Sequence, residues 1–374
     1  MQKLFKIVTI IAVALSIIPI KANRPDTGLV NKSEYKQKLL SVLTGKSDRD
    51  PIRHTFSFLP RFTRPEKTLV HDFIKNCQST YTEPNFLAVG GGGAPSYNEI
   101  ALEKNILYFQ RTLKQMGYDP SSATIFFANG NDGQATVRYL DNQGQERFKS
   151  PKIPHLKAAA TLKNFQRWIQ QTANQTNQRP LFLYFTGHGS LNHQDSDNNA
   201  LFLWHEDYLS VRQLANLFDR LPQNTQIVTM MAQCFAGSFA NIIYQGGIPG
   251  TSVALQTRCG FFATVSTKPS VGCTPEVDEA DYQDYSSSFF AGLSGVDRIG
   301  KPVASADYNR DGHIAYAEAH AFAKVDEQTT DLPISTSEVW LQRQVGEADL
   351  ERILRQPIAE WRKIARPEQQ YVID

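Results

Sequence analysis

From Asn85 onward, apolar runs of strand length alternate with amphipathic helical stretches, and that order calls for a mostly parallel sheet with helices on both faces. "NFLAVGGGG" is a short apolar strand running into glycine. The helix after it carries Ile100, Leu107, Leu113 and Met116 among charged neighbours, and Ala123 to Ala128 forms the next strand. "NGNDGQATVRYLDNQGQERFKSP" reads as an irregular excursion or hairpin. Beyond it, Leu162, Phe165, Trp168 and Ile169 make one apolar stripe on a helix, and "LFLYFTGHGS" (Leu181 to Ser190) is a strand. A loop rich in Asn and Asp leads to a capping box, Ser210 with Gln213, and to Leu214, Leu217, Phe218 and Leu221 at helical spacing. "TQIVTMMAQC" and "CGFFATVST" are further strands, and "DYSSSFFAGL" is a further helix.

Gly90 to Gly93 stand where nucleotide-binding loops stand. No GK[ST] follows them and neither register gives the dinucleotide spacing, so they read as a permissive turn at a strand end. A formal charge of +2, with no block of five Lys or Arg, argues against a nucleic-acid partner.

The chain opens with "MQKLFKIVTIIAVALSIIPIKA": Lys3 and Lys6, an apolar run from Ile7 to Ile20, and the small residue Ala22. This is the build of a secretory signal peptide over residues 1–22, and the run is shorter than the roughly 18 apolar residues of a membrane span. The expectation is an exported protein, secreted or periplasmic, with no stable membrane anchor after signal removal. Residues 23–84 are polar and broken by Pro51, Pro60 and Pro65, as a pro-segment or a surface extension would be. Export permits disulfides among Cys77, Cys234, Cys259 and Cys273. Cys259 and Cys273 could close a loop, while Cys77 has no obvious mate.

Two of the strands end on one chemically capable residue each, His188 within "TGHGS" and Cys234 within "AQCFAGSF". In a parallel α/β sheet, sites gather at the carboxyl ends of strands. Cys234 would open the helix "FAGSFANIIY", where free N–H groups and the helix dipole favour a thiolate. Gly187 and Gly189 allow close backbone approach, and the N–H of Gly189 with that of Cys234 is a candidate oxyanion pair. A buried cysteine or a histidine in a glycine turn, taken singly, is an ordinary structural residue. It is the pair that suggests a nucleophile and its proton carrier.

"YFTGHGS" followed by "AQCFAGSF" resembles the His and Cys blocks of clan CD cysteine peptidases, the group of caspases, gingipains and legumain. Legumain, peptidase family C13, is the nearer likeness, because it reads close to F-T-D-H-G-S and A-C-x-S-G-S. Here Cys234 is followed by Phe235, Ala236, Gly237 and Ser238. "ATVSTKPSVGCTPEVDEADYQDYSSSFF" continues the similarity, which spans Asn85 to Leu293. The resemblance implies a caspase-like domain over 85–325 and hydrolysis of a polypeptide through a thioacyl-enzyme, with Cys234 attacking and His188 moving the proton. It also implies Asp284 and Ser266 on the wall of the pocket for the residue before the cut. Legumain has N-Y-R-H where this chain has Ser96, Tyr97, Asn98 and Glu99. Glu99 in place of a cation beside Asp284 makes for a more acidic pocket, so Arg or Lys is expected before the cut. The same dyad would serve a transpeptidase or transamidase, and a catalytically silent, calcium-stabilised binding module could keep the same fold.

"DYNRDGHIAYAE" fits a twelve-residue, EF-hand-type calcium loop. Asp307, Asn309 and Asp311 fall at positions 1, 3 and 5, Gly312 at the turn, the His313 carbonyl at 7, Ile314 at 8 and Glu318 at 12. One structural Ca²⁺ is expected. Gly300 and Pro302 stand where an entering helix would be, and no second loop exists to pair with it. Residues 326–374 alternate charges at helical spacing, with Val339, Leu350, Ile353 and Leu354 available for packing, as a C-terminal helical cap or a segment that blocks the site.

Overall fold

A computed structural model describes residues 83–176, 179–272, 274–276, 278–344, 353 and 355–374. The signal peptide and nearly all of the extension read from the sequence lie outside the described residues, as do Cys77 and Cys273. The strands are β1 (Asn85–Gly91), β2 (Thr124–Phe127), β3 (Val137–Leu140), β4 (Glu146–Lys149), β5 (Leu156–Ala158), β6 (Leu181–Ser190), β7 (Ala200–Leu203), β8 (Asp207–Ser210), β9 (Ile227–Met231), β10 (Arg258–Phe262) and β11 (Ile334–Ser335). The main sheet runs β11-β10-β9-β6-β1-β2-β5. Every neighbouring pair in it is parallel except β10 with β11.

The central strands β1, β2, β6 and β9 are largely apolar because both faces are covered. On one side, α1 (Ile100–Gln115), α4 (Tyr285–Ser294) and α5 (Tyr316–Asp326) set Ile106, Phe109, Phe290 and Tyr316 against Phe182 and Tyr184 of β6. On the other, α2 (Leu162–Ala173), α3 (Val211–Phe218) and a 3₁₀ helix (Ala236–Ile243) set Phe165, Ile169, Leu214 and Phe239 against Leu183 and Phe185. The chain is thus an α/β protein with a mostly parallel central sheet and helices on both faces. The Ser210/Gln213 capping box forms at the start of α3.

Three elements differ from the sequence reading. The polar loop after His188 contains strands: the end of β6 turns antiparallel to β7, which pairs with β8. Four-residue strands that are only partly buried carry too little apolar signal to be seen. The segment after Cys234 is 3₁₀ rather than α-helical, entered through Phe235 in the left-handed region at φ 60°. Finally, residues 326–374 do more than cap, because β11 completes an edge of the sheet before α6 (Thr336–Gln344), α7 (Ile358–Ile364) and α8 (Pro367–Ile373). Among the described residues, no helix is long and apolar enough to cross a membrane.

Candidate active site

Strands β6 and β9 are parallel neighbours, and their last paired couple is Phe185 opposite Met231. His188 and Cys234 each stand three residues further along, so the sheet brings the two sequence blocks to the same level. Gly189 makes the junction possible: a Cβ there would lie 2.0 Å from the Cys234 carbonyl oxygen. The glycine run at the end of β1 has a similar purpose. A Cβ on Gly92 would lie 1.7 Å from the Tyr97 carbonyl oxygen, so only glycine lets residues 95–99 fold back over the strand end.

That fold-back supplies the partners of His188. Its Nε2 lies 3.0 Å from the Tyr97 carbonyl oxygen and 3.0 Å from Glu99 Oε2. Both neighbours are acceptors, so Nε2 carries the proton and the neutral ring keeps its lone pair on Nδ1. The Tyr97 ring meets the imidazole edge to face at 6.0 Å. Glu99 is 3% exposed, and its other oxygen accepts from Arg138 Nη2 at 2.8 Å. Burial pushes the Glu99 carboxyl up, but the hydrogen bond and charge of His188 and the hydrogen bond from Arg138 outweigh it and hold the group below its ordinary value. Glu99 therefore orients the histidine.

Asp284 is 5% exposed and its oxygens are already engaged. It caps α4 by accepting from the Ser287 backbone N–H at 2.8 Å and the Ser287 hydroxyl at 2.7 Å. It also accepts from Asn105 Nδ2 at 2.8 Å, and the Arg298 guanidinium lies 3.8 Å away. Asp284 is thus held inside the fold by Asn105, Ser287 and Arg298. Ser266 does adjoin the cysteine turn: Asn199 Nδ2 donates both to its carbonyl at 2.8 Å and to that of Phe235 at 3.3 Å.

Cys234 is a free, partly exposed thiol, whereas Cys259 is disulfide-bonded. Its Sγ accepts the Ser270 N–H at 3.4 Å and lies 3.8 Å from the Ser270 carbonyl oxygen. Burial pushes the thiol above its ordinary value and the Asp331 charge adds to this, against the pull of the Ser270 N–H. The thiolate expected at a helix start is thus not favoured at rest, since desolvation wins and no α-helix begins there. Among the described residues, the Cys234 N–H donates to no backbone carbonyl. Arg138, Ser270 and Asp331 carry no signal in the sequence: each reaches the site from a distant loop or strand.

Residues 307–318 form a tightly turned loop leading into α5. Arg310 and Gly312 adopt positive φ, 60° and 83°. Asp307 accepts from the N–H groups of Asp311 and Gly312 at 3.1 and 3.0 Å, Asn309 from Asp311 at 2.9 Å, and Asp311 from His313 at 2.9 Å. Glu318 closes the ring, accepting from Tyr308, Asn309 and Ala315 at 3.1, 3.2 and 2.9 Å. Burial pushes the Glu318 carboxyl up, partly offset by those donors. Among the described residues, no three His, Cys, Asp or Glu side chains converge on one point suited to a metal. The loop nevertheless offers the all-oxygen donor set that a hard cation takes.

No protein-family model matches the chain, and no curated protein matches it. Among solved structures it is similar to the crystal structure of protein GSU0716 from Geobacter sulfurreducens, at 12% identity over 68% of this chain and 92% of that one, with a TM-score of 0.40. A likeness of that size carries no argument about either fold family or function.

Proposed function

We propose that the chain is an exported cysteine endopeptidase, legumain-like (family C13) on a caspase-like sheet. The observation that carries this reading is that Cys234, in the turn just past β9, lies against the end of β6 that holds His188, with the imidazole held on Glu99 so that Nδ1 keeps its lone pair. Because burial raises the thiol, Cys234 rests protonated and Nδ1 of His188 takes its proton as Sγ attacks the scissile carbonyl carbon. The C–N bond breaks, the imidazolium returns the proton to the leaving amine, and a thioacyl-enzyme remains. Water, deprotonated by Nδ1, then breaks the C–S bond, giving the acid and the thiol. Glu99 stabilises the imidazolium in both halves, and the Cys234 N–H is a donor for the oxyanion. Ser266 supplies a pocket edge beside the nucleophile.

One Ca²⁺ would be held by the side chains of Asp307, Asn309, Asp311 and Glu318 and by the His313 carbonyl, supplying structural cross-linking and no catalytic step. Free calcium at ~100 times its Kd is expected to stabilise the fold by about 2.7 kcal/mol. A melting series with and without chelator checks this, and Glu318→Gln should remove the response. An unchanged melting temperature would exclude the ion.

The peptidase reading is tested by treating the mature protein with an acyl-type thiol probe and reading intact mass, then supplying a mixed peptide library, with Cys234→Ala alongside. Rapid single labelling at Cys234 and cleavage only by the unmutated chain are expected. An inert Cys234 after release of any blocking segment would sink the proposal.

A further inference from the structure

The thiol proposed as nucleophile is not bonded to His188. It is covered by the strap Ser266–Gly272, which is tied down at several points. The Ser270 N–H donates to Cys234 Sγ at 3.4 Å, the Lys268 carbonyl accepts from the Phe235 N–H at 2.9 Å, and the Ser266 carbonyl accepts from Asn199 at 2.8 Å. The remaining tie is to a titratable group. The Ser270 hydroxyl donates to Asp331 Oδ2 at 2.9 Å and the Val271 N–H to Asp331 Oδ1 at 2.6 Å.

Asp331 lies between α5 and β11 and is 1% exposed. The charged and titratable groups around it come from three elements. Glu327, at the end of α5, feels the charge of Asp331. Its Oε1 accepts from the Thr329 hydroxyl at 2.5 Å, while its Oε2 receives no hydrogen bond from a donor among the described residues. Asp284 at the start of α4 acts on both acids through its charge, and Cys234 and Tyr285 both feel the charge of Asp331. Two buried carboxyls so placed cannot both ionise readily.

We propose that the strap is an acid-released latch on the nucleophile: ionised Asp331 holds Ser270 over Cys234, and protonating Asp331 lets the strap lift so that the thiol can meet His188. This rests on the reading of Cys234 as the nucleophile and adds its regulation. Burial raises both acids, Glu327 further than Asp331, which is pushed up to about 6 against the pull of Ser270 and Val271. Above that value Asp331 is ionised and accepts two charge-assisted bonds, from the Ser270 hydroxyl and the Val271 N–H. Below that value Asp331 is neutral and each bond weakens by about half. Only a proton moves; no covalent bond changes.

The test is the rate of alkylation of Cys234 by iodoacetamide in the full chain, read by mass on the Cys234 peptide, for wild type, Asp331→Asn and Ser270→Ala. At about pH 7.5 both variants should react roughly tenfold faster than wild type, because a tie has been cut. The advantage should shrink toward unity near pH 5, where protonated Asp331 has already released the strap in the wild type. Equal rates at the higher pH, or an advantage that does not change with pH, would overturn the latch. Ser270→Ala leaves the acid pair in place, so it decides the matter if Asp331→Asn fails to fold. Alkylation needs no peptide cleavage, so the latch can fail while the peptidase reading stands, and the reverse.

Discussion

Glu99→Gln should lower kcat for peptide cleavage by about a hundred- to ten-thousand-fold while leaving KM nearly unchanged. The substitution keeps the shape of the side chain and removes its charge. In the native site Nε2 of His188 faces two acceptors, the Tyr97 carbonyl and the Glu99 carboxylate, so the proton has one place to sit. A glutamine can turn its amide N–H toward Nε2, which moves the ring proton to Nδ1 and leaves the thiol without a base. It also withdraws the negative charge that stabilises the imidazolium after proton transfer. Arg138 keeps its second partner, Glu146 at 3.0 Å, so the fold should survive. Steady-state kinetics with a circular dichroism check provides the measurement. Activity within threefold of wild type would mean that the carboxylate only packs against the histidine.

The second large effect concerns stability. Lys324 of α5 and Glu338 of α6 form an ion pair with almost no solvent contact. Glu338 also accepts from His320 Nε2 at 3.2 Å and from the N–H and hydroxyl of Ser335 at 2.8 and 2.9 Å. Burial would push the Glu338 carboxyl up, yet the Lys324 charge and the His320 hydrogen bond hold it well below the carboxylate range. Lys324→Met removes the counter-charge and leaves a carboxylate buried, which should cost about 3–5 kcal/mol at neutral pH. Pairing it with Glu338→Leu removes the orphaned charge as well and should recover most of the loss. Urea unfolding of the two variants checks both statements. A single variant within ~1 kcal/mol of wild type would show that water reaches the pair. The pH sign follows from the lowered carboxyl: its contribution is full above the unfolded value near 4.5 and is lost as pH falls through the folded one.

The pair also shows what residues 326–374 do. Read alone, their charge alternation suggests a cap of solvated helices. In the fold, Glu338 is drawn inward because α5 presents Lys324 and His320 to it, and β11 takes the edge of the sheet beside β10. Whether a glutamate on an amphipathic helix is solvated or buried depends on what the neighbouring helix carries, and the helix's own periodicity does not contain that information.

Much of the site was legible all the same. Apolar runs ending at His188 and Cys234, glycine on both sides of the histidine, and an intervening helix with a capping box are local signals. They rest on side-chain periodicity and on the steric freedom of glycine. The strand–helix alternation from Asn85 onward likewise determined a parallel sheet, because a parallel connection needs a crossover element.

What only the tertiary structure decided is the set of partners that gives those residues their chemistry. Glu99 lies 89 positions from His188 and 39 from Arg138, and Ser270 lies 36 from Cys234 and 61 from Asp331. These contacts join segments far apart in the sequence, and the first depends on strand order: β6 between β1 and β9 puts the fold-back after β1 against the histidine. The charge state follows from that placement. Glu99 stays ionised because it meets His188 and Arg138, whereas Glu327 is raised by burial and the Asp331 charge, and Asp331 by burial and the Asp284 charge. Residue type and spacing name the groups, but desolvation and the nearest charge decide what each one does.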